Sequence, residues 1–480
     1  MKDTFLRNAL RLILDRVREH EVLSSFFFAS LLIFVLQQFK GVTNFPWDAR
    51  GYWHLSDPSI FFNYPNEIRG YFYPLLLLPA HAVTNLAGIY HNYPYRIYSS
   101  IIYGALLACL LPAFYQHAFG GKVTFLRRMV VPVLVAILCP GPIIYPLSDL
   151  PAFLLLVASL LALLKLREKN APQSWMLVLL GVSGFLAGGA YNTRTIYLFP
   201  ALIMLAMIPF YLFHDKSRTT KLIAVSAFVA GTLLVSIPQS IINHYRHGTF
   251  SPMVIYQNTD KSLFALQMMW GITNQRYETS IDPLSPSPSL FYMDKAGERL
   301  FADEKLETAN VSIREYLSLV AKRPIDFIGI FGRHVVNGLD LTDGDVYVKS
   351  NKASRNKIKV INFSVIFLGF LSIAALRSRE WTYGMKQPSS SWPLFLLVLV
   401  TPVIAIIPGA IETRFFLPLQ LLLYCTIAFN SSRDTLVYAK SNWKHVAGAL
   451  IVVGTLFFSI STTTMSSMQT SINPIYRFQP

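Results

Sequence analysis

Long apolar runs separated by short polar stretches set the pattern of this chain, and most runs approach the roughly 20 residues that carry a helix across a bilayer. The first runs from Val22 to about Phe39. Later ones fall at about Ile97 to Phe119, Met129 to Tyr145, Leu150 to Leu166, Met176 to Ala190, Ile196 to Phe213, Leu222 to Ile242, Val360 to Leu376, Pro393 to Pro408, Phe415 to Phe429 and Val446 to Ser461. The pattern predicts an all-α polytopic membrane protein with about eleven transmembrane helices. Gly184 and Gly188, one turn apart in the fifth run, predict a close helix contact there.

One further run, Tyr71 to Leu86, contains Pro74, Pro79 and His81 and is barely long enough to cross. Counted as a span, it would place the short basic loops holding Lys122, Arg127 and Arg128, then Lys165, Arg167 and Lys169, then Lys216, Arg218 and Lys221, outside the cell. Treated as a re-entrant or juxtamembrane helix, it puts all of them inside, as the positive-inside rule requires. The lead Met1 to Glu21 is basic and amphipathic, without a small-residue cleavage site. It is expected to precede a retained first span with a cytoplasmic N-terminus.

Three regions follow from this topology. Residues 1–242 form an N-terminal transmembrane module whose first outer loop, 40–96, holds juxtamembrane helices. Residues 243–359 form one large outer loop region, and 360–480 a C-terminal transmembrane module. Within the large loop, Ser312 to Leu339 has the spacing of an amphipathic helix interrupted at Pro324.

Composition agrees, with 53% hydrophobic and 14% charged residues in 480. The net charge of +16 sits mostly in short loops at the ends of apolar runs, a topology signal that gives no reason to invoke nucleic acid. Cys109, Cys139 and Cys425 lie within or beside apolar runs without CxxC spacing, so neither a disulfide framework nor a metal site follows. There is no Walker A loop, GxGxxG after a strand, HExxH or GxSxG, and the usual anchors of nucleotide, nicotinamide, zinc-protease and esterase chemistry are missing. Asp340, Asp343 and Asp345 resemble part of a calcium loop but lack its spacing and closing Glu.

Candidate chemistry gathers at the outer ends of spans. The stretch Asn44 to Tyr73, NFPWDARGYWHLSDPSIFFNYPNEIRGYFY, places Asp48 among Arg50, Tyr52, Trp53, His54, Asp57, Glu67 and Arg69. Asp149 occupies the short turn IYPLSDLP, Arg194 lies in GGAYNTRTIYLFP, and Glu412 and Arg414 lie in IPGAIETRFFLPL. The same topology puts all four sites on one side of the membrane. Ionisable groups at a bilayer boundary are costly, which makes them functional candidates. Taken singly, Arg194 and Arg414 could be snorkelling anchors and Asp149 a helix cap.

A first span followed by an outer loop with an acid shortly before a Tyr, here Asp48 and Tyr52, resembles the GT-C superfamily of polyprenyl-phosphate-dependent membrane glycosyltransferases. The chain is similar in particular to the branch with protein O-mannosyltransferases, aminoarabinose transferases of lipid A and O-antigen-modifying glycosyltransferases. SDLPAFLLL, TRTIYLFP, ETRFFLPL and the helix REYLSLVAKRPIDFIGI match the family's habits. Many relatives carry two adjacent acids in the first loop, whereas Ala49 follows Asp48 here; Asp149 or Asp57 would then supply the second carboxylate.

The resemblance implies a GT-C-like fold and an inverting transfer of sugar from a polyprenyl-phosphate donor, such as undecaprenyl phosphate sugar, to a glycan, lipid or protein. The location implied is the bacterial inner membrane, multi-pass, with a periplasmic active site acting on lipopolysaccharide or O-antigen. Such transfer needs a base at the acceptor hydroxyl and cations at the departing phosphate. Asp48 is assigned as base and Asp149 as the residue orienting acceptor or arginine. Arg194 and Arg414, with Arg69 third, are assigned to the donor phosphate. Tyr52, Trp53, His54, Tyr73 and Glu412 are assigned to sugar and acceptor. These residues specify no cofactor, and a divalent metal is the one addition the chemistry would accommodate.

Two other classes compete. An O-antigen polymerase or ligase would rely on Arg and His of the large loop, where Arg246, His247, Arg333 and His334 are available. A lipid-glycan transporter would carry ionisable residues near the midplane and commonly shows repeat symmetry, neither of which the sequence displays.

Overall fold

The computed structural model describes residues 19–63, 70–88, 92–120, 123–166, 173–255, 263–282, 285, 289–306, 312–342, 344, 346–348, 355–383 and 392–469. In the N-terminal half the helices are α1 (Glu21–Lys40), α2 (Trp47–Leu55), α3 (Phe72–Ala87), α4 (Tyr93–Phe119), α5 (Phe125–Leu138), α6 (Asp149–Lys165), α7 (Gln173–Thr193), α8 (Thr195–Leu212) and α9 (Arg218–His247). A mixed segment follows, with α10 (Leu263–Thr273), β1 (Asn274–Ser280), β2 (Ser289–Met293), α11 (Lys295–Asp303), α12 (Ile313–Lys322), α13 (Pro324–Leu339) and β3 (Tyr347–Val348). The chain then continues through α14 (Arg355–Tyr383), α15 (Trp392–Ile406), α16 (Leu417–Phe429), α17 (Ser432–Ser441), α18 (Trp443–Ser466) and β4 (Met468–Gln469).

Seven of these helices are long and apolar enough to cross a bilayer, or eight if the pair α16 and α17, bent by 94°, counts as one broken span. This is a membrane protein of predominantly helical fold. The about eleven spans expected from sequence exceed that number for a local reason. The run Met129 to Tyr145 yields a helix of only 14 residues, because Pro140, Pro142 and Pro146 interrupt it and Gly141–Ile144 forms a separate turn. The runs at Leu150 and Pro393 likewise give helices of 17 and 15 residues. Helices of 14–17 residues lie at or below the lower end of the roughly 17–25 residues that cross the hydrocarbon core. The run at Tyr71 forms the 16-residue α3, with Pro79 inside it.

Small residues set the helix packing. A Cβ added to Gly184 of α7 would stand 1.9 Å from the Phe228 carbonyl oxygen of α9, and one on Gly231 of α9 would stand 1.9 Å from that of Gly181. The two backbones touch, and Gly188 faces Thr232 further along the same seam. Gly41, at φ 57°, ends α1 by donating its N–H to the carbonyls of Gln37 and Gln38, which turns the chain straight into the segment leading to α2.

The segment between α9 and α14 contains more than the expected amphipathic helices. Ser312 caps α12 in a reciprocal capping box with Glu315, and Pro324 opens α13 at the elbow. Four strands form a sheet in the order β3-β1-β2-β4. β1 pairs antiparallel with β2, with Tyr277 opposite Phe291 and Glu278 opposite Leu290, and parallel with β3, with Thr279 opposite Tyr347. β4 directly follows the last long helix and pairs with β2, so the far end of α18 is tied to the same sheet.

Candidate functional site

Four breaks in the helical bundle meet beside this sheet. They are the start of α2, the start of α6, the junction of α7 with α8, and the junction of α15 with α16. Each contributes a charged side chain.

Asp48 lies in the first turn of α2. Trp47 before it has φ 45°, a left-handed conformation that a bulky side chain adopts only under constraint. The sheet supplies the constraint. The Tyr347 hydroxyl donates to the Pro46 carbonyl at 3.1 Å and accepts from the Ala49 N–H at 3.3 Å, while the Trp47 indole donates to the Ser280 carbonyl at 3.3 Å.

Arg414 extends from the turn that opens α16 and is almost fully buried. Its Nη2 donates to Asp48 Oδ2 at 2.7 Å, and its Nε donates to the carboxylate of Glu412. One guanidinium thus bridges two acids. The Asp48 side chain is 34% exposed, so it is the member of this trio that a ligand can reach. Glu412 is buried, and burial raises its carboxyl above the usual range against the opposing pull of Arg414. The Tyr277 hydroxyl also bonds to Glu412.

The turn itself is pinned by β1. The Tyr277 N–H donates to the Ile411 carbonyl at 2.8 Å, and the Thr413 N–H donates to Glu278 Oε1 at 3.1 Å. Glu278 in turn pairs with Arg276 at 3.1 Å, both groups being fully buried. Arg276 also donates to the Asp340 carbonyl at 3.0 Å and lies over the Tyr292 ring.

Asp149, in the first turn of α6, forms an ion pair with Arg194 at the α7–α8 junction. Its other carboxylate oxygen is buried without a hydrogen-bond partner among the described residues. The Arg194 guanidinium lies 4.4 Å from the centre of the Phe415 ring, and that of Arg414 lies 5.6 Å from the same ring. Phe415 therefore holds the two arginines in one neighbourhood by cation–π attraction. Asp149, Arg194, Arg414 and Phe415 line a small cleft, whose other walls are Ile196, Tyr197, Pro402, Ile406 and Pro418. The cleft is lined by both charged and apolar side chains. Three carboxylates against two guanidinia give the cluster a formal charge of −1.

The structure brings together Asp48, Asp149, Arg194, Glu412 and Arg414. The remaining candidates lie elsewhere. Tyr52 points one turn beyond Asp48 into a packed cluster, where its hydroxyl donates to Ser148 Oγ at 2.9 Å and its ring meets Tyr73 edge-on. Tyr73 is 2% exposed, and Trp53 is stacked flat on His81 with ring centres 4.3 Å apart. The sugar-stacking roles expected for Tyr52, Trp53 and Tyr73 thus meet rings already occupied in packing. His54 is exposed in the last turn of α2. Arg69 lies outside the described residues, as do Asp343 and Asp345. Asp57 caps the turn at Pro58 and contacts Ser59, Asn85 and His81, and its carboxyl is lowered chiefly by the Ser59 hydroxyl. It takes no part in the cluster.

The large-loop residues of the competing reading are dispersed. Arg333 pairs with Asp294 at 2.7 Å, His334 is buried between the carbonyls of Ile407 and Asn274, and Arg246 donates to the Asn63 carbonyl. His247 borders a separate cleft between α3 and α9. Asp340 closes a local turn onto Thr342. Among the described residues, no three His, Cys, Asp or Glu side chains are placed to hold a metal ion.

Tyr277, Glu278, Tyr347 and Phe415 escaped the sequence reading. The strand NQRYETS is polar at most positions and reads as loop, and only the Phe-Phe after Arg414 carried a visible signal. No protein family, no curated protein and no solved structure matches the chain.

Proposed function

We propose that the protein is an inverting membrane glycosyltransferase of the GT-C type, using a polyprenyl-phosphate-linked sugar. The observation that carries the reading is the meeting of Asp48, Glu412 and Arg414 with Asp149 and Arg194 beside a cleft that has apolar walls. A lipid phosphate presents the complement of that arrangement, an anion on a hydrocarbon chain.

In this reading the donor phosphate lies against Arg194 and Arg414, and the lipid follows the side formed by Ile196, Pro402, Ile406 and Pro418. Asp48 faces the acceptor. In the structure it is engaged by Arg414 Nη2 at 2.7 Å. A phosphate that draws the terminal nitrogens of Arg414 toward itself loosens that pair and frees the Asp48 carboxylate for the acceptor when the donor is present. Glu412, on Nε, keeps the guanidinium in place meanwhile. Asp48 then takes the proton from the acceptor hydroxyl as its oxygen bonds to the anomeric carbon. The bond from that carbon to the phosphate oxygen breaks on the opposite face, and the arginines hold the charge that develops there.

The acceptor class is a glycan, a lipid or a protein, and the compartment is the periplasmic side of a bacterial inner membrane. Incubating purified protein with a panel of radiolabelled polyprenyl-phosphate sugars and a membrane glycan extract tests the reading. Transfer from one donor supports it, and inertness toward all of them with working acceptor controls removes it.

A further inference from the structure

Behind the Asp48–Arg414–Glu412 trio lies a second charged pair that the proposed reaction does not use. Arg276 and Glu278 sit on β1 at 0% and 1% side-chain exposure. Burying two charges is costly unless their remaining hydrogen-bonding capacity is taken up. Here the outlet is the Thr413 N–H, which donates to Glu278 Oε1 at 3.1 Å. Thr413 stands between Glu412 and Arg414, so this carboxylate is bonded to the backbone that carries the guanidinium.

We propose that Glu278 is a positioning residue for Arg414: through Thr413 it fixes the turn bearing the guanidinium, and its charge state sets how strongly that guanidinium holds an anion. The inference rests on the donor-phosphate reading of Arg414. The groups acting on Glu278 can be traced element by element. Arg276 on its own strand favours ionisation, and Glu412 on the turn opposes it. Across the sheet, Glu278 faces Leu290, and the β3 residue beside it is Tyr347, paired with Thr279. On α13, His334 is engaged with the Asn274 and Ile407 carbonyls, and Arg333 with Asp294. Burial outweighs Arg276 and pushes the Glu278 carboxyl up to about 8. At neutral pH the group is mostly protonated and adds no negative charge behind Arg414. As pH rises through this value the charge appears, beside a cluster already negative in formal charge, and anion binding weakens.

The probe is an undecaprenyl methyl phosphodiester, whose single charge is constant between pH 6.5 and 9.5, titrated into full-length protein in nanodiscs. Wild type should lose affinity by about tenfold across that range, the order expected for one buried charge nearby. Glu278→Gln, which keeps an acceptor for the Thr413 N–H, should bind with flat affinity. If Gln beside Arg276 prevents folding, Arg276→Met with Glu278→Gln removes both charges and should be flat as well. An equal pH dependence in wild type and variant overturns the role given to Glu278. In parallel, the protonated-carboxyl infrared intensity that wild type loses with a midpoint near 8 should be missing from the variant; the same loss in both overturns the assignment of the titrating group. Absence of lipid phosphodiester binding at every pH removes the donor reading, and this role with it. The infrared titration would still report the state of Glu278, which separates the two failures.

Discussion

Asp48 Oδ2 and Arg414 Nη2 lie 2.7 Å apart although 366 positions separate the residues in sequence. The contact joins the first turn after α1 to the start of α16, so it forms only when both halves of the helical bundle are assembled. A pairing across such a distance ties the integrity of the site to the integrity of the fold.

Arg414 should be the most sensitive position for folding. Arg414→Met leaves the buried Glu412 without its cation, and losing one partner of a buried pair costs about 3–5 kcal/mol. Glu412→Gln with Arg414→Met should recover most of that loss, because the one carboxylate then left without its cation, Asp48, is partly exposed to solvent. Thermal unfolding in detergent reads both variants, and equal destabilisation of the single and double variants would contradict the pairing.

Arg194→Ala should chiefly weaken donor use. A charge-assisted hydrogen bond to phosphate is worth roughly 1.5–3 kcal/mol, or about 10–100-fold in donor KM. Part of the effect will come from Asp149, left without its ion-pair partner. Asp149→Asn with Arg194→Ala separates the two contributions, and unchanged donor dependence in both variants would make Arg194 a lipid anchor.

Gly184→Leu tests the α7–α9 seam. A side chain at this position meets the backbone of Phe228, which cannot move aside as a flexible side-chain tip can. Overpacking of this kind costs at least about 1–3 kcal/mol. The expected result is a clear fall in melting temperature; a melting temperature equal to wild type would mean that the helices do not approach as described.

Stability should fall as pH rises toward the alkaline side, and Glu278 contributes to that fall. Its carboxyl is raised to about 8 in the folded protein from 4.5, mainly by burial. Between these values the folded state binds more protons than the unfolded state, so its advantage is complete below about 4.5 and is lost as pH passes through about 8. Melting temperatures from pH 5 to 9 should decline more steeply in wild type than in Glu278→Gln. Parallel profiles would contradict a buried, proton-holding carboxyl.

Much of this arrangement was legible in the sequence, for a physical reason. Charged residues at the ends of apolar runs are few, and the basic short loops led to the expectation that Asp48, Asp149, Arg194, Glu412 and Arg414 share one side; the structure brings these five together. Their direct pairings were not legible, since a contact between Asp48 and Arg414 depends on how non-adjacent helices pack. The sheet was hidden more deeply. β1 buries Arg276 and Glu278, so hydrophobic alternation, the usual mark of a half-buried strand, is missing where the strand does its supporting work. The aromatic residues misled in the opposite direction. Trp and Tyr at a membrane edge suggest sugar contact as readily as packing, and here Trp53 lies on His81 while Tyr73 is enclosed. The expected span count exceeds the seven or eight long apolar helices among the described residues where proline punctuates an apolar run, as at Pro140 to Pro146.

The most direct test of the account compares sugar transfer from the radiolabelled polyprenyl-phosphate panel by wild type and by Asp48→Asn. Asn keeps an oxygen able to accept from Arg414, so the fold and the position of the guanidinium should be retained while the base is lost. Transfer by wild type together with a fall of about a hundredfold or more in the variant, at an unchanged melting temperature, is the predicted result. Wild-type turnover in Asp48→Asn would contradict it and remove Asp48 from the chemistry.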